Sequence, residues 1–254
     1  MSESQVLERW VAPGYLSADR VRALAESAAA KPDAHYLVLD DFFVAEAADL
    51  LRQHLLTLEY SEDLDRQVGG DRLPYDSAVK FAGPSDVGWE LFEAPAWHAY
   101  CAALVGATLH DRRHSIVKLR RHRADATGFW IHSDAIAGER SLVVVAYFNP
   151  GWSREDGGLL QLWREGDPTP HAARVISAPD PDKPLDVLTT ESRIRTAAAG
   201  ARVAPRRVRE FVLVDEVVPE HNRLFVCNIQ DHPAWHAVTP SRGRVRYGFV
   251  QWIG

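Results

Sequence analysis

From about residue 114 onward the chain is a succession of short β-branched and aromatic runs cut apart by turn formers. That texture constrains the fold more than any other feature. The runs lie at 115–119, 129–131, 141–148, 158–163, 210–218, 223–228 and 245–253, rich in Val, Ile, Phe, Tyr and Trp. Such residues suit a pleated, half-buried surface. Asn149-Pro150-Gly151 and Asp156-Gly157-Gly158 are strong breakers between them.

The first half reads differently. Ser17 is an N-cap for a helix over 18–30, stopped by Lys31-Pro32. A second helix over 45–57 carries Leu50, Leu51, His54, Leu55 and Leu58 at helical spacing on one face. A third, over 95–105, ends at Gly106, a natural C-cap. Residues 36–39, Tyr-Leu-Val-Leu, read as a strand. Helices followed by strands predict an α+β fold, an antiparallel sandwich or barrel with helices outside. We expect one domain over 1–254: a mainly helical support at 1–110 and a β core at 114–253. Residues 165–209 fit neither pattern. They hold Pro168, Pro170, Pro179, Pro181 and Pro184, then Arg193, Arg195, Arg202, Arg206, Arg207 and Arg209. A segment this long is a functional insert, a candidate lid, or a solvated excursion.

Composition narrows the function classes. Over 254 residues, 29 Lys+Arg stand against 35 Asp+Glu, a formal net charge of −6. Nucleic acid and anionic membranes reward the opposite sign, so neither is the expected partner. Two cysteines, Cys101 and Cys227, exclude a disulfide framework and Cys-rich metal sites. A reducing, cytoplasmic setting is the default. The N-terminus has no basic-then-apolar signal pattern. The longest strongly apolar run, 142–148, is far short of the ~20 residues of a membrane helix.

His132-Ser133-Asp134 follows one of the short strands. The pleat puts residues i and i+2 on one face, so both side chains can reach one metal ion. With 11 histidines and 35 acidic residues, about one or two His-x-acid matches arise by chance. A turn histidine beside a capping aspartate therefore accounts for the dipeptide alone. A second histidine, His236, stands in Ala234-Trp235-His236-Ala237-Val238, beyond the strand at 223–228. Two histidines and one carboxylate leave the other positions of a metal open, the facial triad of non-haem Fe(II) oxygenases. Ten residues on, Arg246 opens Arg246-Tyr247-Gly248-Phe249-Val250-Gln251-Trp252. An arginine at the head of an apolar strand facing into a barrel needs an anion. A dicarboxylate co-substrate supplies one through paired hydrogen bonds.

In this order the residues resemble the 2-oxoglutarate- and Fe(II)-dependent oxygenases, on their prolyl-hydroxylase-like branch. The resembling set is His132 and Asp134, Tyr147 in Val145-Ala146-Tyr147-Phe148-Asn149, Gly157-Gly158-Leu159-Leu160, His236 and Arg246. It covers roughly 114–253, with a weaker echo in Leu39-Asp40-Asp41-Phe42-Phe43. The resemblance implies a double-stranded β-helix, or jelly roll, with the metal near its mouth. It implies Fe(II) held by His132, Asp134 and His236, chelated by the 1-carboxylate and keto oxygen of 2-oxoglutarate. Arg246 would bind the distal carboxylate, helped by the Tyr147 hydroxyl. The implied reaction is oxidative decarboxylation of 2-oxoglutarate to succinate and CO2 by O2, coupled to hydroxylation of an unactivated C–H, with ascorbate as a candidate reductant. Halogenating relatives lack the carboxylate that Asp134 supplies.

One departure concerns position 122. Family members often carry a Tyr about ten residues before the first ligand histidine; here His122 stands in Arg120-Arg121-His122-Arg123. It is either a donor to the co-substrate or a solvated residue of a basic turn. His35, His54, His98, His110, His114, His171 and His221 have no acidic partner at i+2, and His232, beside Pro233, reads as a loop residue. Three substrate classes compete. They are a residue in a peptide or protein, proline among the candidates; a free amino acid or small metabolite, its carboxylate or phosphate held by the arginine-rich segment; and, last, an alkylated nucleic acid. The reading from another class is a non-catalytic or cupin-like metal-binding jelly roll.

Overall fold

The alternation of the β-rich half sorts its strands into two antiparallel sheets, one sheltered by the helices of the other half. The structure is a computed structural model that describes residues 3–62, 66–68, 71–73, 77–110, 115–126, 128–135, 140–166, 175–179, 208–232 and 234–254. The helices are α1 (Glu3–Trp10), α2 (Ala18–Ala29), α3 (Ala45–Thr57), α4 (Trp89–Phe92) and α5 (Pro95–Val105). The strands are β1 (Tyr36–Leu39), β2 (Ser61–Glu62), β3 (Arg66–Val68), β4 (Asp71–Leu73), β5 (Ser77–Phe81), β6 (Ser115–His122), β7 (Phe129–His132), β8 (Leu142–Tyr147), β9 (Leu160–Glu165), β10 (Val175–Pro179), β11 (Val208–Val217), β12 (Arg223–Asn228), β13 (His236–Val238) and β14 (Arg246–Ile253). The major sheet runs β1-β12-β8-β14-β6-β5-β2 and the minor sheet β10-β11-β9-β13-β7; β3 and β4 pair separately. This is an α+β fold with a double-stranded β-helix core.

The major sheet is covered on both faces, and its strands divide residue by residue. One face sends Val117, Leu119, Val144, Ala146, Leu224, Val226 and Phe249 into a core shared with the helices. The opposite parity sends Val143, Tyr147, Phe225, Cys227 and Trp252 into a second core with Leu160 and Leu162 of the minor sheet. Helix α5 is apolar nearly all round, burying Trp97, Tyr100, Cys101, Leu104 and Val105. That suits a helix enclosed between the sheet and the outer helices. Gly106 closes it in the left-handed region at φ 65°. Ser17 caps α2 by accepting from the Arg20 amide at 3.2 Å. In α3 the buried face is Ala47, Ala48, Leu51 and Leu55. Leu50, expected on that face, is 46% exposed, because position 50 lies about 100° round the helix from 51.

The echo at 39–43 is a wedge between the layers. Phe42 and Phe43 are fully buried. The Phe43 amide donates to Asn222 Oδ1 at 2.8 Å, and Asn222 Nδ2 donates to the Phe43 carbonyl at 2.9 Å. The helical half thus hydrogen-bonds directly to the turn before β12.

Several elements escape the sequence reading. Helices α1 and α4 are additional, and β5 and β2 extend the major sheet with residues from the first 110. Strand β13 has three residues between Pro233 and Pro240, too few for alternation to register. Strand β10 sits in the proline-rich segment and pairs with β11. Residues 167–174 and 180–207 of that segment, with the lid expectation and all of its arginines but Arg209, lie outside the described residues. Among the described residues, no helix is long and apolar enough to cross a membrane.

Gln251 shows how the outer core handles polarity. It is fully buried. Trp97 Nε1 donates to its Oε1 at 2.9 Å, and its Nε2 donates to the Phe92 carbonyl at 2.8 Å and Ser115 Oγ at 2.9 Å. Gln251→Leu would leave these groups buried without that partner. We expect a loss of about 2–4 kcal/mol in urea unfolding. Adding Trp97→Phe should recover part of it, since the stranded indole N–H is then removed.

Candidate metal centre and cavity

His132 closes β7, and His236 opens β13. In the minor sheet the two are directly opposed across the antiparallel pair. Direct opposition brings Cβ atoms within about 5.5 Å, and the imidazole centroids stand 4.2 Å apart. Asp134, two residues beyond the end of β7, returns to the same side. One donor atom from each of His132, Asp134 and His236 falls within 4.8 Å of the others. His132 Nε2 is 3.8 Å from Asp134 Oδ1, and His236 Nε2 is 3.6 Å from Asp134 Oδ2. Both separations are too long for hydrogen bonds, so these donors are not spent on one another.

Outer contacts orient the set. His236 Nδ1 lies 2.9 Å from the Ala234 carbonyl. A carbonyl only accepts, so Nδ1 carries a proton, and Nε2 is the ring nitrogen left to offer a lone pair to a metal. Trp252 Nε1 donates to Asp134 Oδ2 at 3.0 Å, and Arg140 Nη1 donates to the Asp134 carbonyl at 3.2 Å. Burial pushes the Asp134 carboxyl pKa upward. His236, His132, the Trp252 N–H and Arg140 outweigh it and hold the group below its usual value. An ionised carboxylate with two imidazoles is a donor set that fits Fe(II).

These residues face a cavity of about 410 Å³ between the two sheets. Arg246 lies on its wall, 4% exposed. Its Nη2 lies 2.9 Å from His122 Nε2, and its Nη1 donates to the Gly158 carbonyl. His122 opposes Arg246 in the β14–β6 register. Burial first, then the charges of Arg246 and Arg120, hold the His122 pKa well below the usual histidine range. His122 is therefore a neutral ring that accepts from Arg246. Burial brings the Arg246 pKa down to about 10, which leaves the guanidinium charged at neutral pH. Tyr147, 4% exposed, has its ring centroid 5.8 Å from the Arg246 guanidinium carbon. Burial pushes its hydroxyl up to about 12, so it stays protonated.

The Gly157-Gly158 turn has a steric reason. Gly157 has φ 68° and ψ −151°, a region essentially closed to other residues. A Cβ there would meet the Pro240 carbonyl oxygen at 2.0 Å. The turn hydrogen-bonds to the same carbonyl through the Gly158 amide at 3.0 Å, and so delivers the Gly158 carbonyl to Arg246.

Lys118, Arg120, Arg140 and Trp252 also line the cavity, with no site role in the sequence reading. Three of them carried a signal. Lys118, Arg120 and His122 share one parity on β6, and Trp252 shares the parity of Arg246 on β14. Arg140 carried none, because it lies outside any strand.

Comparison with known proteins agrees with this geometry. A family model described as 2OG-Fe(II) oxygenase superfamily matches residues 117–254. A prolyl-4-hydroxylase from Pseudomonas putida superposes with a TM-score of 0.52 at 14% identity, over 92% of this chain and 97% of that one. HygX from Streptomyces hygroscopicus, with nickel, 2-oxoglutarate and hygromycin B bound, gives 0.53 at 12% identity, over 94% and 87%. A prolyl hydroxylase from Trichoplax adhaerens, in complex with a hypoxia inducible factor peptide fragment, gives 0.50 at 15% identity, over 92% and 90%. No curated protein matches the chain in sequence.

Gly157→Ala is expected to destabilise the fold by about 3 kcal/mol or more, from φ/ψ strain and backbone collision together. Gly151→Ala is the control. Its φ is also positive, at 62°, but a Cβ there meets nothing within 4 Å, so about 1 kcal/mol is expected. Equal losses in chemical denaturation would show that contact with Pro240 is not the constraint.

Proposed function

The chain belongs to the 2OG-Fe(II) oxygenase superfamily, and on that premise we propose that it hydroxylates an unactivated C–H of an amino-acid unit, within a peptide or protein or as a small amino-acid-like molecule. The observation that carries the reading is the opposition of His132 and His236 across β7 and β13. Asp134 lies between them, in the cavity that also holds the buried Arg246.

In this reading His132, Asp134 and His236 hold Fe(II), and Arg246 binds the distal carboxylate of 2-oxoglutarate. Bound there, iron and 2-oxoglutarate with O2 supply the oxidising power that yields succinate, CO2 and the hydroxylated product. The chain's own residues bind, orient and exclude water. Trp252 and the Ala234 carbonyl fix the directions of Asp134 and His236. Tyr147 offers a neutral hydroxyl donor beside Arg246. His122 acts on Arg246, taking one of its N–H groups and so fixing the plane of the guanidinium. Val143, Val145, Leu160, Leu162 and Phe225 form an apolar part of the remaining wall. The known folds that resemble it include one with a peptide bound and one with hygromycin B bound. A peptide and a small molecule are therefore both compatible with this architecture.

Adding Fe(II) and 2-oxoglutarate to the anaerobic protein should develop a weak visible charge-transfer band. Succinate release across a panel of amino acids, peptides and proteins then identifies the substrate. Asp134→Ala and His236→Ala should lose both band and turnover; near wild-type succinate formation in Asp134→Ala would overturn the ligand set. Arg246→Ala should raise the 2-oxoglutarate KM by about a hundredfold with metal affinity nearly intact, the loss of charge-assisted hydrogen bonds in a buried site. Arg246→Lys should recover only part, because an ammonium lacks the planar fork. His122→Phe should raise the same KM by roughly tenfold, since it strands one Arg246 N–H. Unchanged co-substrate kinetics would show that His122 does not orient the arginine.

A further inference from the structure

The net charge of the chain is −6, yet the described lining of the cavity has the opposite sign. Among its described lining residues Lys118, Arg120, Arg140 and Arg246 are cationic and Asp134 alone is anionic. In the proposed function Arg246 is taken by 2-oxoglutarate. The two positive charges of the metal and the two negative charges of the co-substrate cancel. Counted over the described lining residues, positive charge still exceeds negative, on Lys118, Arg120 and Arg140.

Two of those cations, Arg140 and Lys118, are linked to the metal centre by named contacts, and Arg120 follows them on the same face of β6. Trp252 donates its indole N–H to Asp134 Oδ2. The Arg140 guanidinium carbon lies 4.8 Å from the centroid of that indole, and Lys118 Nζ lies 5.9 Å from it. Arg140 is also tied to the Asp134 carbonyl. Lys118 and Arg140 thus stand around one ring whose edge touches the proposed iron ligand. Arg120 lies two residues along β6 from each of Lys118 and His122, on the same face, with its guanidinium carbon 5.5 Å from the Phe129 ring. Lys118 also lies 5.1 Å from the ring of Phe81, which is 58% exposed. The cations therefore extend from the metal toward solvent.

We propose that Lys118, Arg120 and Arg140 form an oxyanion subsite, and that the substrate bears a carboxylate or phosphate within a few bonds of the carbon that is hydroxylated. The inference rests on the proposed function of this same cavity. Cations gathered in a partly desolvated pocket repel one another, and an anionic ligand relieves that repulsion while gaining charge-assisted hydrogen bonds. The Trp252, Phe129 and Phe81 faces hold the cationic side chains over aromatic rings, which limits the freedom they lose on binding.

The test uses the full chain, anaerobic, saturated with Fe(II) and 2-oxoglutarate, at fixed ionic strength. Formation of the charge-transfer band is read first. Its failure counts against the proposed function, whereas the subsite is judged only on protein that forms the band. The loaded protein is then titrated calorimetrically with matched probes. N-acetylalanine is compared with its N-methylamide, a blocked peptide with an internal Asp with its Asn counterpart, and phenyl phosphate with phenol. The charged member of at least one pair should bind tenfold or more tightly than its neutral partner. Which pair responds separates a free acid from an acidic peptide and from a phosphate ester. Lys118→Gln and Arg140→Gln should each reduce that preference severalfold. If the band forms and every charged probe binds no better than its neutral partner, the subsite is refuted. A preference that survives both substitutions unchanged also refutes it.

Discussion

The site depends on the register that sets His236 opposite His132. Side chains alternate across a strand, so a slip of one residue in β13 would turn His236 out of the cavity and Ala237 into it. Three residues of strand are a small basis for such precision. The register is secured from both sides, because β13 pairs with β7 and with β9, where His236 opposes Leu162. Beyond its ends, the Trp163 amide donates to the Trp235 carbonyl at 2.8 Å and the Thr239 amide to the Leu159 carbonyl at 3.0 Å. The Gly157–Gly158 turn closes on Pro240. Each of these contacts fixes the same strand against sliding.

A second constraint is the burial of a guanidinium. An isolated charge taken out of water is expensive, and hydrogen-bonded partners offset that cost. Among the described residues, Arg246 hydrogen-bonds to a carbonyl and a neutral imidazole and to no carboxylate. A carboxylate neighbour would have neutralised it. These dipoles take two of its five N–H donors and leave the others, with its charge, to an incoming anion. His122 serves this arrangement because its own burial keeps it unprotonated; a charged imidazolium there would repel the arginine.

The helices contribute no described residue to the cavity wall, yet they make the cavity possible. Their layer buries one face of the major sheet on α5, on Phe42 and Phe43 and on the Gln251 network. The other face is thereby free to be partly polar. Lys118, Arg120 and Arg246 sit on strands whose alternate residues, Val117, Leu119 and Phe249, are anchored in that outer core.

Much of the fold was written locally. Ser17 and Gly106 mark helix ends because capping is a property of a few neighbouring residues. The alternation of 142–147 and 246–253 marks strands because the pleat has a period of two. His132 and Asp134 are two residues apart, and Arg246 heads an apolar strand, so each announced a role along a short stretch of chain. Leu50 was misplaced because a helix bounded only by its spacing has no fixed rotation until it packs. His236 was named from its place ten residues before Arg246 and from the family resemblance, but only tertiary structure put it face to face with His132, because pairing is made by the sheet, across more than a hundred residues. It also brought Trp252 to Asp134, 118 positions away, and gathered Lys118, Arg120 and Arg140 around the same space. The sequence by itself determined the elements and the chemistry of single residues, since these follow from local sterics and side-chain type. Which of those residues share one cavity, and what net charge it holds, depends on long-range strand order and register, which no short window of sequence contains.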